Sequence, residues 1–371
     1  MIEFTGVSKR YGDTVAVDSI SLRVEAGEVC VLIGPSGCGK TTTLKMVNRM
    51  LNASSGVITI DGRDVASLPV EQLRRSIGYV IQSVGLLPHL SVRDNIAIVP
   101  RLNGVDRRTR YKRADELLDL IGLDPAQYRL KYPHELSGGE AQRIGVARAL
   151  AADPPILLMD EPFGAVDPLN REVLQTEFLR LQRALKKTVM FVTHDLDEAI
   201  RIADTVILIK DGRIVQHATP EQILARPRDQ FVRDFVGKDR ALKRLSCFAV
   251  RDYIRQARQI SQQDVAAYSN GEHDEEPVVW VNGPAGVLVG VLQRITAQSG
   301  AAALSAGARA SFRMISLKPE DVGVAPMSSM KEALSRLLGQ GMRAVPVLDE
   351  RNCIIGEVRL PDIEELNQAV L

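Results

Sequence analysis

The stretch VCVLIGPSGCGKTTTLKMV, residues 29–47, constrains the fold of this chain more than any other. Its first five residues are apolar without interruption, as in a strand buried on both faces. Glycines then follow at Gly34, Gly37 and Gly39, and a lysine–threonine run opens a helical pattern. A buried strand that turns directly into a helix is the opening of a βα unit, the building block of parallel sheets. Similar runs recur at residues 77–81, 156–160, 188–194 and 205–212, with helix-like stretches at 115–121 and 140–151 between them. Strands alternating with helices imply a largely parallel, doubly wound α/β sheet. The opening IEFTGVSKRYG and VAVDSISLRVEAGE alternate instead and carry turn residues, which predicts an antiparallel edge.

At 371 residues the chain is long enough for two domains. Its 47 basic and 46 acidic side chains nearly cancel, so no broad electrostatic footprint for nucleic acid exists. Cys30, Cys38, Cys247 and Cys353 match no zinc spacing. Cys38 stands inside the glycine loop, where a disulfide would disrupt it, so a reducing cytosol is expected. MIEFTGVSKRYG lacks the apolar core of a signal peptide. No run approaches the ~20 apolar residues that span a bilayer.

The rhythm changes after residue 237. Residues 238–276 are expected to be a linker with solvated helix faces and the degenerate start of a repeat. Their basic residues include Lys238, Arg240, Lys243, Arg244, Arg251, Arg255 and Arg258, and the acidic cluster EHDEE follows at 272–276. Residues 277–371 hold the repeat itself: PVVWVNGPAGVLVGVL (277–292) aligns with RAVPVLDERNCIIGEV (343–358) at an offset of 66. Val279 then matches Val345, Val281 matches Val347, Leu288 matches Ile354, and Gly290 matches Gly356. Each copy predicts a hairpin. An amphipathic helix closed by glycine precedes the second at 329–341, and a PDIEEL helix follows it. No helix is legible before the first copy.

The glycine loop carries its own chemistry. Gly34, Pro35, Ser36, Gly37, Cys38, Gly39, Lys40, Thr41 and Thr42 form a loop whose backbone N–H groups cradle phosphates at a helix N-terminus. Lys40 adds a point charge to the β- and γ-phosphates, and Thr41 offers its hydroxyl to Mg²⁺. Asp160 and Glu161 end the apolar strand ILLMD. There an aspartate can orient Mg²⁺ through water, and a neighbouring carboxylate can accept the proton of the attacking water.

With LSGGE at 136–140 between these two elements, the chain resembles the ATP-binding-cassette (ABC) ATPases. The resemblance implies an ABC-type P-loop ATPase domain over residues 1–237, a mixed sheet with a helical subdomain. It further implies that Ser137, Gly138 and Gly139 contact the γ-phosphate held by a second copy in a head-to-tail dimer. Gln82 would touch Mg²⁺ and water and link to the transport partner, and His194 would contact the γ-phosphate. Tyr11 would stack on adenine, and Asp167 would couple the two sites. The family's usual glutamine after the glycine pair is Glu140 here, a position expected to face away from phosphate.

The segment SVGLLPHLSVRDNIAIVPRLNG (83–104) and the exit FVGKDRALKRLS (235–246) resemble the ATPase subunits of osmoprotectant importers of the glycine betaine/carnitine/choline/proline class. The C-terminal repeat resembles paired CBS (cystathionine-β-synthase-type) modules, a smaller α+β domain. The implied partners are membrane permease subunits and, indirectly, an extracytoplasmic binding protein, with the chain peripheral on the cytoplasmic face of the inner membrane. Subunits for methionine or other amino acids, and soluble ABC ATPases outside transport, are the alternatives. Between a sensor of salt or nucleotide and a plain packing role for the repeat, the residues do not choose.

Overall fold

The computed structural model describes residues 1–82, 85–164, 166, 168–269, 278–295 and 311–368. It divides into two compact units, Met1–Gly237 and Lys238–Leu371.

In the first unit, β1 (Ile2–Tyr11), β2 (Thr14–Val24), β4 (Ser55–Ile60) and β5 (Arg63–Asp64) form an antiparallel sheet of order β2-β1-β4-β5. The strands β3 (Val29–Ile33), β6 (Ile77–Val80), β7 (Ile156–Asp160), β8 (Thr188–Val192), β9 (Thr205–Lys210) and β10 (Arg213–Ala218) form the second, in the order β10-β9-β3-β8-β7-β6. All neighbours in it pair parallel except β9 and β10. Every residue of β3, β7 and β8 is buried, which is why these strands read as unbroken apolar runs. In a sheet of this kind, ligands gather at the carboxyl ends of the strands.

Between β6 and β7 the chain builds a helical region: Val92–Ile96, Ile98–Leu102, Arg107–Leu120, Pro125–Tyr128 and Gly138–Leu150. Side-chain caps start several of these helices. Ser91 accepts from Asp94 N, Asp106 from Thr109 N and Asp124 from Ala126 N. The fully buried Asn95 accepts from Leu87 N and donates to the carbonyls of Leu87, Leu90 and Ser91, tying the loop after β6 to the first helix.

The second unit carries β11 (Gln259–Ser261), β12 (Val278–Asn282), β13 (Leu288–Ile295) and β14 (Ser311–Ser316) in one sheet, and β15 (Ala344–Leu348) with β16 (Ile354–Arg359) as a hairpin. The two hairpins share their register. Val281 pairs with Gly290 and Val347 with Gly356, each copy offset by the same 66 residues. Both show an irregularity at the next position, after Val281 and after Val347. Each hairpin also pairs with a segment leading to the other. Arg255, upstream of β12, exchanges both backbone bonds with Glu357 of β16 at 2.9 Å, whereas β14, upstream of β15, pairs with β13.

Residues 238–269 differ from the linker expected of them. Leu245 and Val250 are fully buried in the core of the second unit, with Met330, Leu337, Val345 and Val358. Nor are all its basic residues solvated. Arg244 is buried and donates to Leu366 O, and Arg255 pairs with the buried Asp362. Apolar residues spaced between the charges drive this segment inward, a pattern too short to show periodicity. A turn at Gln262–Asp264 and a helix at Val265–Ser269 precede β12, a shorter counterpart of the Met330–Gln340 helix that Ser329 caps and Gly341 ends in the left-handed region. The EHDEE cluster at 272–276 lies outside the described residues.

The copies meet at a buried polar bond. Glu357, fully buried, accepts from Trp280 Nε1 at 2.7 Å and from Arg359 Nε. Trp280→Phe removes the donor and leaves a carboxylate oxygen buried without it, which should cost about 1–3 kcal/mol. Urea unfolding followed by circular dichroism checks this, since the substitution removes the chain's only tryptophan. An unchanged midpoint would show that the bond contributes nothing net.

Candidate functional site

The glycine loop follows β3 at the carboxyl edge of the sheet. Gly34 has φ +147°, and a Cβ there would lie 2.1 Å from Ile209 O; Gly39 has φ +104°, and a Cβ there would lie 2.4 Å from Ala16 O. At both positions a side chain would collide with backbone, so glycine is required. Gly39 leads into the helix Lys40–Val47, which no side chain caps. The leading N–H groups of its first turn are thus left for an anion. Lys40 is 7% exposed, and its ammonium donates to the carbonyls of Gly34 at 2.7 Å and Pro35 at 2.9 Å. Burial pushes the Cys38 thiol up, against the Lys40 charge that lowers it.

Across the edge, β7 delivers Asp160 and Glu161. Asp160 is 4% exposed and accepts from Thr41 Oγ1 at 2.8 Å. Burial raises its carboxyl above the ordinary range, with Glu161 adding to the effect and Thr41, Lys45 and Lys40 opposing it. A hydroxyl beside a buried carboxylate that shuns its own charge is a hard-oxygen donor set, and it fits Mg²⁺. Glu161 sits at φ +45°, a left-handed conformation that costs a side-chain residue about 1–3 kcal/mol. Its N–H bonds to Val192 O at 2.9 Å and its carbonyl accepts from Gly164 N at 3.1 Å, which holds the turn.

That turn aims the Glu161 carboxylate at two other strand ends. Gln82, just past β6, donates from Nε2 to Glu161 Oε2 at 3.0 Å. His194, just past β8, brings Nδ1 to 3.2 Å of the same oxygen. The histidine side chain is 62% exposed and the glutamate 21%, so the group opens to solvent from one side. Below His194, Asp195 caps the helix Leu196–Ile202 and lies 3.4 Å from Arg171, whose other nitrogen donates to Val166 O.

Ser137, Gly138, Gly139 and Tyr11 stand apart from this cluster. Ser137 caps the helix Gly138–Leu150; neither it nor Gly138 and Gly139 hydrogen-bonds to the glycine loop, Asp160 or Glu161 among the described residues. Tyr11 ends β1 in the antiparallel sheet, 47% exposed, with the Lys9 ammonium 5.1 Å from its ring. Asp167 lies outside the described residues. Other residues that shape the site gave no sequence signal. Tyr128 donates to Glu140 Oε1 at 2.5 Å, and Arg148 donates to Gly85 O at 2.6 Å. Each is a lone polar side chain whose partner is distant or unpatterned.

Comparisons with known proteins show the family. The family model described as "ABC transporter" matches residues 17–164. The osmoprotectant import ATP-binding protein OsmV of Salmonella typhimurium is 45% identical over 357 residues, covering 95% of this chain and 91% of the relative. The glycine betaine/carnitine/choline transport ATP-binding protein OpuCA of Bacillus subtilis is 42% identical over 363 residues, covering 96% and 94%. Among solved structures, a dimeric bacterial ABC transporter cassette superposes with a TM-score of 0.54 at 33% identity, covering 59% of this chain and 99% of that one. An edge that assembles Thr41, Asp160, Glu161, Gln82 and His194 on such a fold, in a chain matched almost end to end, leaves one conclusion: the chain belongs to the ATP-hydrolysing, ATP-binding subunits of ABC osmoprotectant importers.

Proposed function

We propose that this chain powers uptake of a quaternary-ammonium osmoprotectant of the glycine betaine, choline, carnitine or proline type through separate permease subunits. The observation that carries the catalytic part is the convergence of Gln82 and His194 on one oxygen of Glu161, beside the Thr41–Asp160 pair. The osmolyte part is supported by relatives that match both units rather than the ATPase unit alone. No helix among the described residues is long and apolar enough to cross a membrane, which fits a chain that works peripherally.

In this reading the loop from Gly34 to Thr42 wraps the phosphates and Lys40 turns its ammonium from loop carbonyls to the β- and γ-phosphates. Thr41, Gln82 and, through water, Asp160 would hold Mg²⁺, which would supply charge neutralisation at the phosphates. Glu161 accepts the proton of the attacking water, Gln82 orients that water, and His194 contacts the γ-phosphate. Ser137, Gly138 and Gly139 serve the nucleotide of a second copy. Supporting this, a Cβ at Gly138 or Gly139 would meet nothing within 4 Å among the described residues, which leaves this helix start open to a second copy. The cassettes that superpose on the first unit are themselves dimeric. Tyr11 stacks on adenine, and Asp167 couples the two sites. The second unit acts as a CBS-like pair that regulates transport, a reading supported by the matched hairpins and their exchanged segments.

Glu161→Gln should keep ATP binding but slow hydrolysis by roughly 10²–10⁴-fold, and trap an ATP-bound dimer visible by size exclusion. Hydrolysis near the wild-type rate would remove Glu161 from this role. Reconstituted with its permease and binding protein in vesicles, the chain should drive uptake of labelled glycine betaine or a related osmolyte; uptake of methionine alone would favour the amino-acid importers instead. Truncation after Gly237 should preserve basal uptake and abolish its response to salt or to an adenine nucleotide. An unchanged salt dependence would leave the second unit a packing role only.

A further inference from the structure

The acidic residue that stands in place of the family's glutamine brings a charge to the start of the Gly138–Leu150 helix. Both Glu140 oxygens are engaged. Oε2 accepts from Ser137 N at 2.7 Å, and Oε1 accepts from Tyr128 Oη at 2.5 Å. Glu140 N in turn donates to Ser137 Oγ at 3.3 Å. With its oxygen already accepting, the serine hydroxyl keeps its proton to donate elsewhere. The Tyr128 hydroxyl, then the Ser137 N–H, hold the Glu140 carboxyl below its usual range, so it is an anion at neutral pH.

Tyr128 is itself held in place. It closes the helix Pro125–Tyr128, and the next residues anchor the chain: Arg129 O and Lys131 O accept from Arg93 N and Val92 N at 3.1 and 2.8 Å. The Lys131 ammonium lies 4.0 Å from the centre of the Tyr128 ring. A phenol on this fixed platform restrains the second oxygen of a carboxylate that the Ser137 N–H alone would hold at one oxygen only.

We infer that Tyr128 is a positioning residue for trans nucleotide contact: together with the Ser137 N–H it engages both Glu140 oxygens, so that the Glu140 charge stays bound within the chain and neither oxygen swings toward the partner-bound γ-phosphate. The inference rests on the trans reading of Ser137 given above. A carboxylate held at one oxygen only can turn the other toward a triphosphate and repel it, and the loss would fall on dimer closure rather than on first binding of ATP.

The test uses the full-length chain and a two-by-two set: wild type, Tyr128→Phe, Glu140→Gln and the double variant. ATP binding by the monomer, steady-state ATPase rate and ATP-driven dimerisation in the Glu161→Gln background are measured. Tyr128→Phe should lower kcat by about ten-fold, the effect of one bond to a charged group, and weaken dimerisation in proportion, with monomer ATP affinity unchanged within about two-fold. In the double variant the loss should largely vanish, because a neutral amide needs no restraint. Wild-type kcat in Tyr128→Phe, or an equal loss with Glu140 and with Gln at that position, would overturn the inference. Ser137→Ala separates the premise: full activity there removes the trans reading itself, whereas an inactive Ser137→Ala beside an unaffected Tyr128→Phe sinks only the role of Tyr128.

Discussion

The first unit depends on burying three strands on both faces. A strand covered above and below has no exposed polar residue along its length, so β3, β7 and β8 release their polar chemistry only where they end. Because they run parallel, those ends lie along one edge. The glycine loop, Asp160–Glu161 and His194 all stand at the ends of these strands or within two residues beyond them. Gln82 follows at the end of β6, the outermost strand of the same sheet.

Electrostatics then sets what the edge can hold. Asp160 and Glu161 are adjacent carboxylates, and Glu161 makes the charge of the buried Asp160 harder to keep. Burial favours protonation of Asp160, the Thr41 hydroxyl opposes it, and a cation at this point would resolve the conflict. The left-handed backbone at Glu161 belongs to the same arrangement. A relaxed backbone would carry the glutamate out of line with its neighbours, whereas the turn sends its carboxylate toward Gln82 and His194. Strain of this kind persists where surrounding hydrogen bonds over-determine the turn.

In the second unit the governing feature is exchange. Each hairpin borrows an edge from the segment that precedes the other, so neither copy completes its sheet alone. The Trp280–Glu357 bond, buried between the copies, adds a polar constraint that a purely apolar interface would lack. Backbone pairing and this bond therefore tie the two hairpins to each other.

Much of this was legible in the amino-acid order. The buried strands showed as apolar runs, the phosphate loop as glycines before Lys40 and Thr41, and the hairpin repeat as matched residues 66 apart. Each of these is a local pattern, dictated by backbone geometry and burial over a few residues. Segment 238–269 was not legible, because its buried residues are spaced singly among charges. Nor could local order show that Gln82, Glu161 and His194 share one oxygen contact, since strand order in the sheet differs from order in the chain. The same holds for Tyr128 on Glu140 and Trp280 on Glu357. Sequence by itself determined which elements form and what chemistry they carry; tertiary structure alone decided which side chains meet, because parallel pairing and segment exchange bring together residues that no local pattern connects.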